Sequence, residues 1–154
     1  MSDKVAKTHF GTIWPIHVDG FIRLLAGLRH AFDGDLDSVL ILAVVGSAVL
    51  PRHKLPPDLS YDDFIHGDSR RNLATPLNTN SISQITGIPR ETVRRKLTAL
   101  WERGWTIRDN DGHWAIGDAA RQKLSPMTDL SLEYLTSIAE AFEKARKGHK
   151  RKPA

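Results

Sequence analysis

Between Asn78 and Trp105 the chain places two helices in direct succession, with Gly87-Ile88-Pro89 as the only step between them. Asn78 is suited to cap the first, its side-chain oxygen accepting a free N–H of the opening turn. Ile82 and Ile85 are that helix's apolar positions, and Gly87 ends it by accepting a left-handed backbone that a Cβ resists. Pro89 stands where a second helix begins, a place suited to a residue with fixed φ and no N–H. That helix is predicted from Arg90 to Arg103, stopping at Gly104. Val93, Leu97, Leu100 and Trp101 follow the spacing of a buried stripe. Glu91, Arg95, Thr98 and Glu102 point the opposite way, with Arg90 and Arg94 on the flank.

From Arg90 to Arg108 there are six Lys/Arg against two Glu. A surface helix can be basic for solubility alone. The tight turn and the Gly-Ile-Pro-Arg-Glu-Thr-Val punctuation point further, to a helix-turn-helix whose second member enters the DNA major groove. Residues 78–105 resemble the helix-turn-helix of Crp/Fnr-type regulators, whose Gly-x-Ser-Arg-Glu-Thr-Val-x-Arg core precedes a Leu-rich helix ending in Gly. Here the run is Gly87-Ile88-Pro89-Arg90-Glu91-Thr92-Val93-Arg94-Arg95. The resemblance implies that Arg90, Glu91 and Arg95 read base edges, Arg favouring guanine and Glu the cytosine amino group. It places Thr79, Asn80, Thr92 and Thr98 near phosphates, where they set register. Pro89 stands in place of the usual Ser, and Arg94, itself a candidate DNA contact, in place of a commonly small residue, so the operator sequence does not carry over.

Two short β-rich runs follow, from Trp105 to Ile116, on either side of Asp109-Asn110-Asp111-Gly112, a turn signal that favours positive φ. A hairpin directly after such a helix reads as the wing of a winged helix. Its tip, Arg108, Asn110 and His113, is placed to reach a minor groove or phosphates, while Asp109 and Asp111 make it a weaker contact than the helix. Trp105 and Trp114 are expected to pack the hairpin onto the domain.

Upstream, residues 1–16 read as irregular, with Trp14-Pro15 an extended step. Phe21, Leu24, Leu25, Leu28 and Phe32 then define an amphipathic helix from about His17, broken at Gly34. The next helix, from about Asp35 to Leu50, is apolar nearly all round and so needs cover on every side. Gly46-Ser47-Ala48 would allow another helix close to it. Residues 51–77 form a long connection, with a short helix expected around Leu59–His66, stabilised by Tyr61, Phe64 and Ile65 and by Asp58 at its N-terminal end. Arg70-Arg71 is either a phosphate contact or an idle surface pair. After the hairpin, Asp118 is expected to cap a short helix to Leu124. Ser125 and Pro126 then open a last helix to about Lys147, roughly 30 Å long at about 1.5 Å per residue. Its stripe of Leu130, Tyr134, Leu135, Ile138, Ala141, Phe142 and Ala145 predicts a partner subunit.

Charge follows the same division. Residues 1–75 carry eight Lys/Arg and nine Asp/Glu, and residues 76–154 carry fourteen and nine. The excess lies in the basic helix and in the tail Lys144, Arg146, Lys147, Lys150, Arg151, Lys152, a local density that attracts polyanions. There is no cysteine, hence no disulfide, thiolate metal site or Cys nucleophile. The seven histidines make no i, i+4 pair, and no phosphate loop, nucleophile elbow or dinucleotide fingerprint occurs. No enzyme activity, metal or cofactor is expected. The longest apolar run is too short for a bilayer, and the N-terminus lacks an apolar signal core; a cytoplasmic, nucleoid-associated, bacterial-type protein is expected.

The order of elements is similar to MarR-type regulators. The expected fold is mainly α with an α+β wing: a winged helix-turn-helix at 56–124, an N-terminal dimerisation layer at 1–55, a C-terminal dimerisation helix at 125–147 and a disordered basic tail at 148–154. The resemblance implies a sequence-specific transcriptional regulator that binds double-stranded DNA as a homodimer, and the short apolar runs predict no membrane partner. It also leaves room for a small-molecule effector near His17, His30 or His53. The alternative from a different class is a winged-helix adaptor that binds another protein, and a third possibility is RNA binding through the tail.

Overall fold

The computed structural model of the chain describes residues 2–48, 57–66 and 77–149. Among these the protein is mainly helical, with eight helices and one antiparallel pair of strands. No helix among the described residues is long and apolar enough to cross a membrane. Arg70, Arg71, His53 and the tail from Lys150 lie outside the described residues, as do the side chains of Phe64 and Ile65. The chain divides into two compact units: Met1–Ala31 with Pro126–Ala154, and Phe32–Ser125.

In the first unit α1 (Ser2–Thr8) and α2 (Phe10–Ala31) replace the expected irregular arm. Pro15 lies inside α2. The carbonyl it deprives of a donor is that of Gly11, which is exposed, so water can satisfy it, while Ile13 is buried against Ala141 and Ala145. The bias against helix before proline is therefore outweighed by packing. Helix α8 (Ser125–His149) runs antiparallel to α2: Ile13 meets Ala141 and Ala145, His17 hydrogen-bonds Tyr134 at 2.6 Å, and Gly27 lies beside Leu130 and Met127. Two glycines set the separation. A Cβ at Gly20 would stand 2.6 Å from Tyr134 Cδ2, and one at Gly27 2.8 Å from Leu130 Cδ2. On α8, Leu130, Tyr134, Ile138, Ala141, Phe142 and Ala145 are at least partly buried, but Leu135 is 59% exposed, on the outer edge of the stripe. Ser125 does not cap the helix; its hydroxyl donates backward to the Gln122 carbonyl at 3.1 Å.

The second unit is built on α3 (Leu36–Ala48). Asp33 (φ 54°) and Gly34 (φ 88°) take left-handed backbone ahead of it, and Asp35 caps it, accepting from the Ser38 N–H at 3.1 Å and the Ser38 hydroxyl at 2.6 Å. The sequence reading set this helix in an N-terminal layer. Its neighbours are α5 (Thr79–Thr86), α6 (Arg90–Glu102) and β2 (Trp114–Ile116). Ile41, Leu42, Val44 and Val45 are buried, whereas Leu36 and Leu40 are exposed in the single chain. Gly46 faces Ile116 of β2 at an ordinary 3.8 Å rather than another helix.

Ile41, Val45, Ile82, Val93, Leu97 and Leu100 make the centre of this unit, and Phe32 meets Trp105 edge-on at 5.2 Å. In the connection, α4 (Tyr61–His66) is capped by Ser60, whose hydroxyl accepts from the Asp63 N–H, rather than by Asp58. Strand β1 (Thr106–Arg108) pairs with β2 in the register Thr106↔Ile116, Ile107↔Ala115, Arg108↔Trp114, around a turn with Gly112 at φ 85°. Trp105 and Trp114 are buried, as expected for a hairpin packed onto its domain. In α7 (Asp118–Lys123) the cap position belongs to Gly117, and Asp118 instead pairs with Arg121 at 3.2 Å.

Candidate nucleic-acid interface

Helices α5 and α6 are joined by a turn fixed from both sides. Asn78 accepts from the Ser81 N–H at 2.9 Å and so caps α5, and Gly87 closes it at φ 74°. The Ser83 hydroxyl donates to the Ile88 carbonyl at 2.7 Å, and the Ile88 N–H donates to the Thr86 hydroxyl at 3.2 Å. These two hydroxyls were not foreseen; their signal was two Ser/Thr residues within a turn of the closing glycine, where short polar side chains bond local backbone. Ile82 is buried but Ile85 is 61% exposed, and Ile88 beyond the glycine enters the core in its place.

Pro89 occupies the cap position of α6 with no side-chain bond, and Arg90 is the first helical residue. Val93, Leu97 and Leu100 are buried; Trp101 is not, at 56% exposure. It lies about 80° round the helix from Val93 at roughly 100° per residue, at the margin of the stripe. The helix ends in a pair of hydrogen bonds typical of a left-handed closing residue, with the Trp105 N–H donating to the Leu100 carbonyl (2.9 Å) and that of Gly104, φ 70°, to the Trp101 carbonyl (2.8 Å).

The six basic residues from Arg90 to Arg108 separate by surroundings. Lys96 turns inward to Asp35 at 2.6 Å. Arg103 lies 3.5 Å from Asp33 and over the Trp105 ring at 4.3 Å, and Arg108 lies 5.4 Å from the Trp114 ring centre. Arg90, Arg94 and Arg95 are exposed together on the opening turns of α6. The side chains of Arg90 and Arg95 make no hydrogen bond or ion pair among the described residues, whereas that of Arg94 is bonded to Glu91 through Nε and Nη2. The hydrogen bond from Arg94 holds the Glu91 carboxyl below the usual carboxylate range and raises the guanidinium in turn.

Of the remaining candidate residues, Asn80 is exposed beside the α5 cap, and Thr92 is half-buried on α6. The Thr79 hydroxyl accepts from the Trp114 indole N–H at 3.2 Å, tying α5 to the hairpin, and the Thr98 hydroxyl donates to the Arg94 carbonyl at 3.0 Å. Both hydroxyls are thus engaged within the fold. Asn110 is exposed at the hairpin turn. His113 is half-buried there, its N–H and Nδ1 meeting the Asp109 carboxylate at 2.8 and 3.1 Å. The backbone N–H of His113 is the main cause of a lowered Asp109 pKa. Asp109, Asp111 and His113 bring one possible metal-ligand atom each within 4.8 Å of one another, a grouping the helical spacing rules did not reveal because it forms in a turn. The Asp109 oxygens are already bonded to His113. Of the histidines named for an effector, His17 is bonded to Tyr134 and His30 is exposed.

No protein-family model, curated protein or solved structure matches this chain.

Proposed function

We propose that the protein is a sequence-specific DNA-binding transcriptional regulator, a winged helix-turn-helix acting as a homodimer, with α6 entering the major groove and the β1–β2 hairpin as its wing. The observation that carries this reading is the cluster of Arg90, Arg94 and Arg95 exposed on the opening turns of a helix whose other side, Val93, Leu97 and Leu100, is buried. A recognition helix needs that division: one side fixed in the domain, the other presenting guanidiniums that can reach guanine edges and phosphates. The turn secured by Ser83 and Thr86 supports it by fixing how α6 leaves α5. A homodimer is supported by α2 and α8, which leave Phe10, Trp14, Phe21, Leu25, Leu132 and Leu135 exposed, large apolar side chains that a second copy could cover.

The test is retardation of duplex DNA by the full chain across a salt series, followed by selection from random duplexes. Affinity should fall steeply with salt, with a log–log slope of about −0.9 for each phosphate neutralised, and selection should return a partly palindromic site. A flat salt response together with an unenriched pool overturns the reading. A second reading, an adaptor for another protein, is favoured by the exposed Ile85, Trp101 and Ile107 of the same unit. It predicts that flat response.

A further inference from the structure

Glu91 and Arg94 lie one turn apart on the outward side of α6 and are joined in a fork: Nε donates to Oε2 at 2.9 Å and to Oε1 at 3.1 Å, and Nη2 donates to Oε1 at 2.5 Å. Most exposed ion pairs hold little, because two flexible side chains must be ordered against water; a bidentate guanidinium–carboxylate fork is the exception. The fork uses one edge of the guanidinium, Nε with one Nη2 hydrogen. The other edge, Nη1 with the second Nη2 hydrogen, keeps a parallel pair of donors, the arrangement that matches guanine O6 and N7.

The resemblance to Crp/Fnr-type regulators implies that Glu91 reads cytosine, and it leaves Arg94 a DNA-contact candidate with no base assigned to it. Reading cytosine directly would require Glu91 to abandon a fork in which both its oxygens are engaged. Resting on the DNA-reading role of α6, we propose that Glu91 is a positioning residue: it holds the Arg94 guanidinium so that its second edge is offered to a guanine, and Arg94 is the reader. Two physical effects follow. Part of the rotamer entropy of Arg94 is lost before DNA arrives, so less is lost on binding. The carboxylate also offsets the arginine's charge, so attraction to phosphates of any sequence weakens while the directional contact stays, and the ratio of specific to random binding rises.

The experiment uses the full chain and the duplex recovered by selection. The parent, Glu91→Gln, Arg94→Ala and the double variant are titrated against that duplex, against each single base-pair change in it, and against random duplex at several salt concentrations. Glutamine keeps the size of Glu91 but presents an amide N–H₂ to a donor, so the fork cannot form. Glu91→Gln should bind random DNA more tightly, with a salt slope steeper by about one. It should lose about tenfold of discrimination at one G·C pair. Arg94→Ala should lose preference at that same pair, and the double variant should lose no more than Arg94→Ala alone. General weakening of α6 would lower binding without singling out one base pair, so the position-specific loss separates positioning from stability. The proposal is overturned if Glu91→Gln leaves every base preference intact. It is equally overturned if the two losses fall at different pairs or simply add. Failure of the underlying reading is distinguishable, because the parent alone would then show neither salt-dependent binding nor an enriched site, and the proposal would fall with it.

Discussion

The Lys96 ammonium lies 2.6 Å from Asp35 Oδ1, joining the cap of α3 to the inward flank of α6 across 61 residues of sequence. Asp35 does two things at once, since the same carboxylate accepts from the Ser38 N–H and hydroxyl. Burial pushes its pKa up, but the hydrogen bonds from Lys96 and Ser38 outweigh that and leave it below the ordinary value. A carboxyl with a lowered folded-state pKa contributes stability that is present above its unfolded pKa and lost as pH falls through the folded one. The parent should therefore lose thermal stability below about pH 4 in part through this group, and Asp35→Asn should flatten that part of the profile. Near neutral pH, Asp35→Ala should cost about 1–2 kcal/mol as a lost cap, the partly hydrated ion pair adding under about 1 kcal/mol. Melting curves from pH 7 to pH 3 check both; an unchanged acid limb in Asp35→Asn refutes the assignment.

Helices α2 and α8 give a paired test of glycine. Gly20 and Gly11 are both helical, and alanine is favoured over glycine within a helix by up to about 1 kcal/mol. They differ in surroundings. A Cβ at Gly11 meets nothing within 4 Å, whereas one at Gly20 falls 2.6 Å from the Tyr134 ring and would push the helices apart or displace that ring from its bond to His17. Gly11→Ala should raise the melting temperature slightly, its place in the first turn limiting the gain. Gly20→Ala should lower it despite a propensity gain at least as large, because overpacking costs about 1–3 kcal/mol. Equal shifts in the two variants would rule out the close approach.

What the sequence made legible follows from how local each determinant is. The Asn78 cap, the Gly87 turn, the stops at Gly34 and Gly104 and the hairpin around Gly112 are set by residues within a few positions of one another, and each is found where expected. Long-range packing was less readable. Pro15 is helical because Ile13 is held by α8, and periodicity alone could not separate Val93, Leu97 and Leu100 from Trp101, which sits at the margin of the same stripe. At the site, the outward position of Arg90, Glu91, Arg94 and Arg95 was legible from a 3.6-residue period. Their partners were not. Lys96 pairs with Asp35, and Glu91 with Arg94 rather than with a neighbouring arginine, through side-chain conformations that no local sequence pattern encodes.

Arg95, like Arg90, is exposed and, unlike Arg94, has no ion pair; it lies one turn beyond Glu91. A guanidinium with both edges available can contribute a bidentate contact to guanine worth roughly 1–3 kcal/mol of discrimination. Arg95→Ala should therefore weaken binding to the selected duplex by about 10- to 100-fold, with a much smaller change on random duplex. Titration at one salt concentration on both duplexes is sufficient, and a variant that matches the parent on both removes Arg95 from the interface.

The exposed side of the α2–α8 pair carries the last prediction. Phe21 and Leu135 are each about half or more exposed in the single chain, so a glutamate at either place should leave monomer stability nearly unchanged if water is the true neighbour. If a second copy covers this side, the same substitution puts a charge into an apolar interface, and the dimer should dissociate while the helices stay folded. Sedimentation of Phe21→Glu and Leu135→Glu should then report a single-chain mass where the parent reports twice that. Circular dichroism should show little loss of helix. The effect on DNA is separable, since one copy can still engage one half-site, so affinity for the full palindrome should collapse toward that for half of it. A parent that sediments as a monomer would mean that α6 reads DNA singly, and variants that remain paired would mean that the two copies join through another surface.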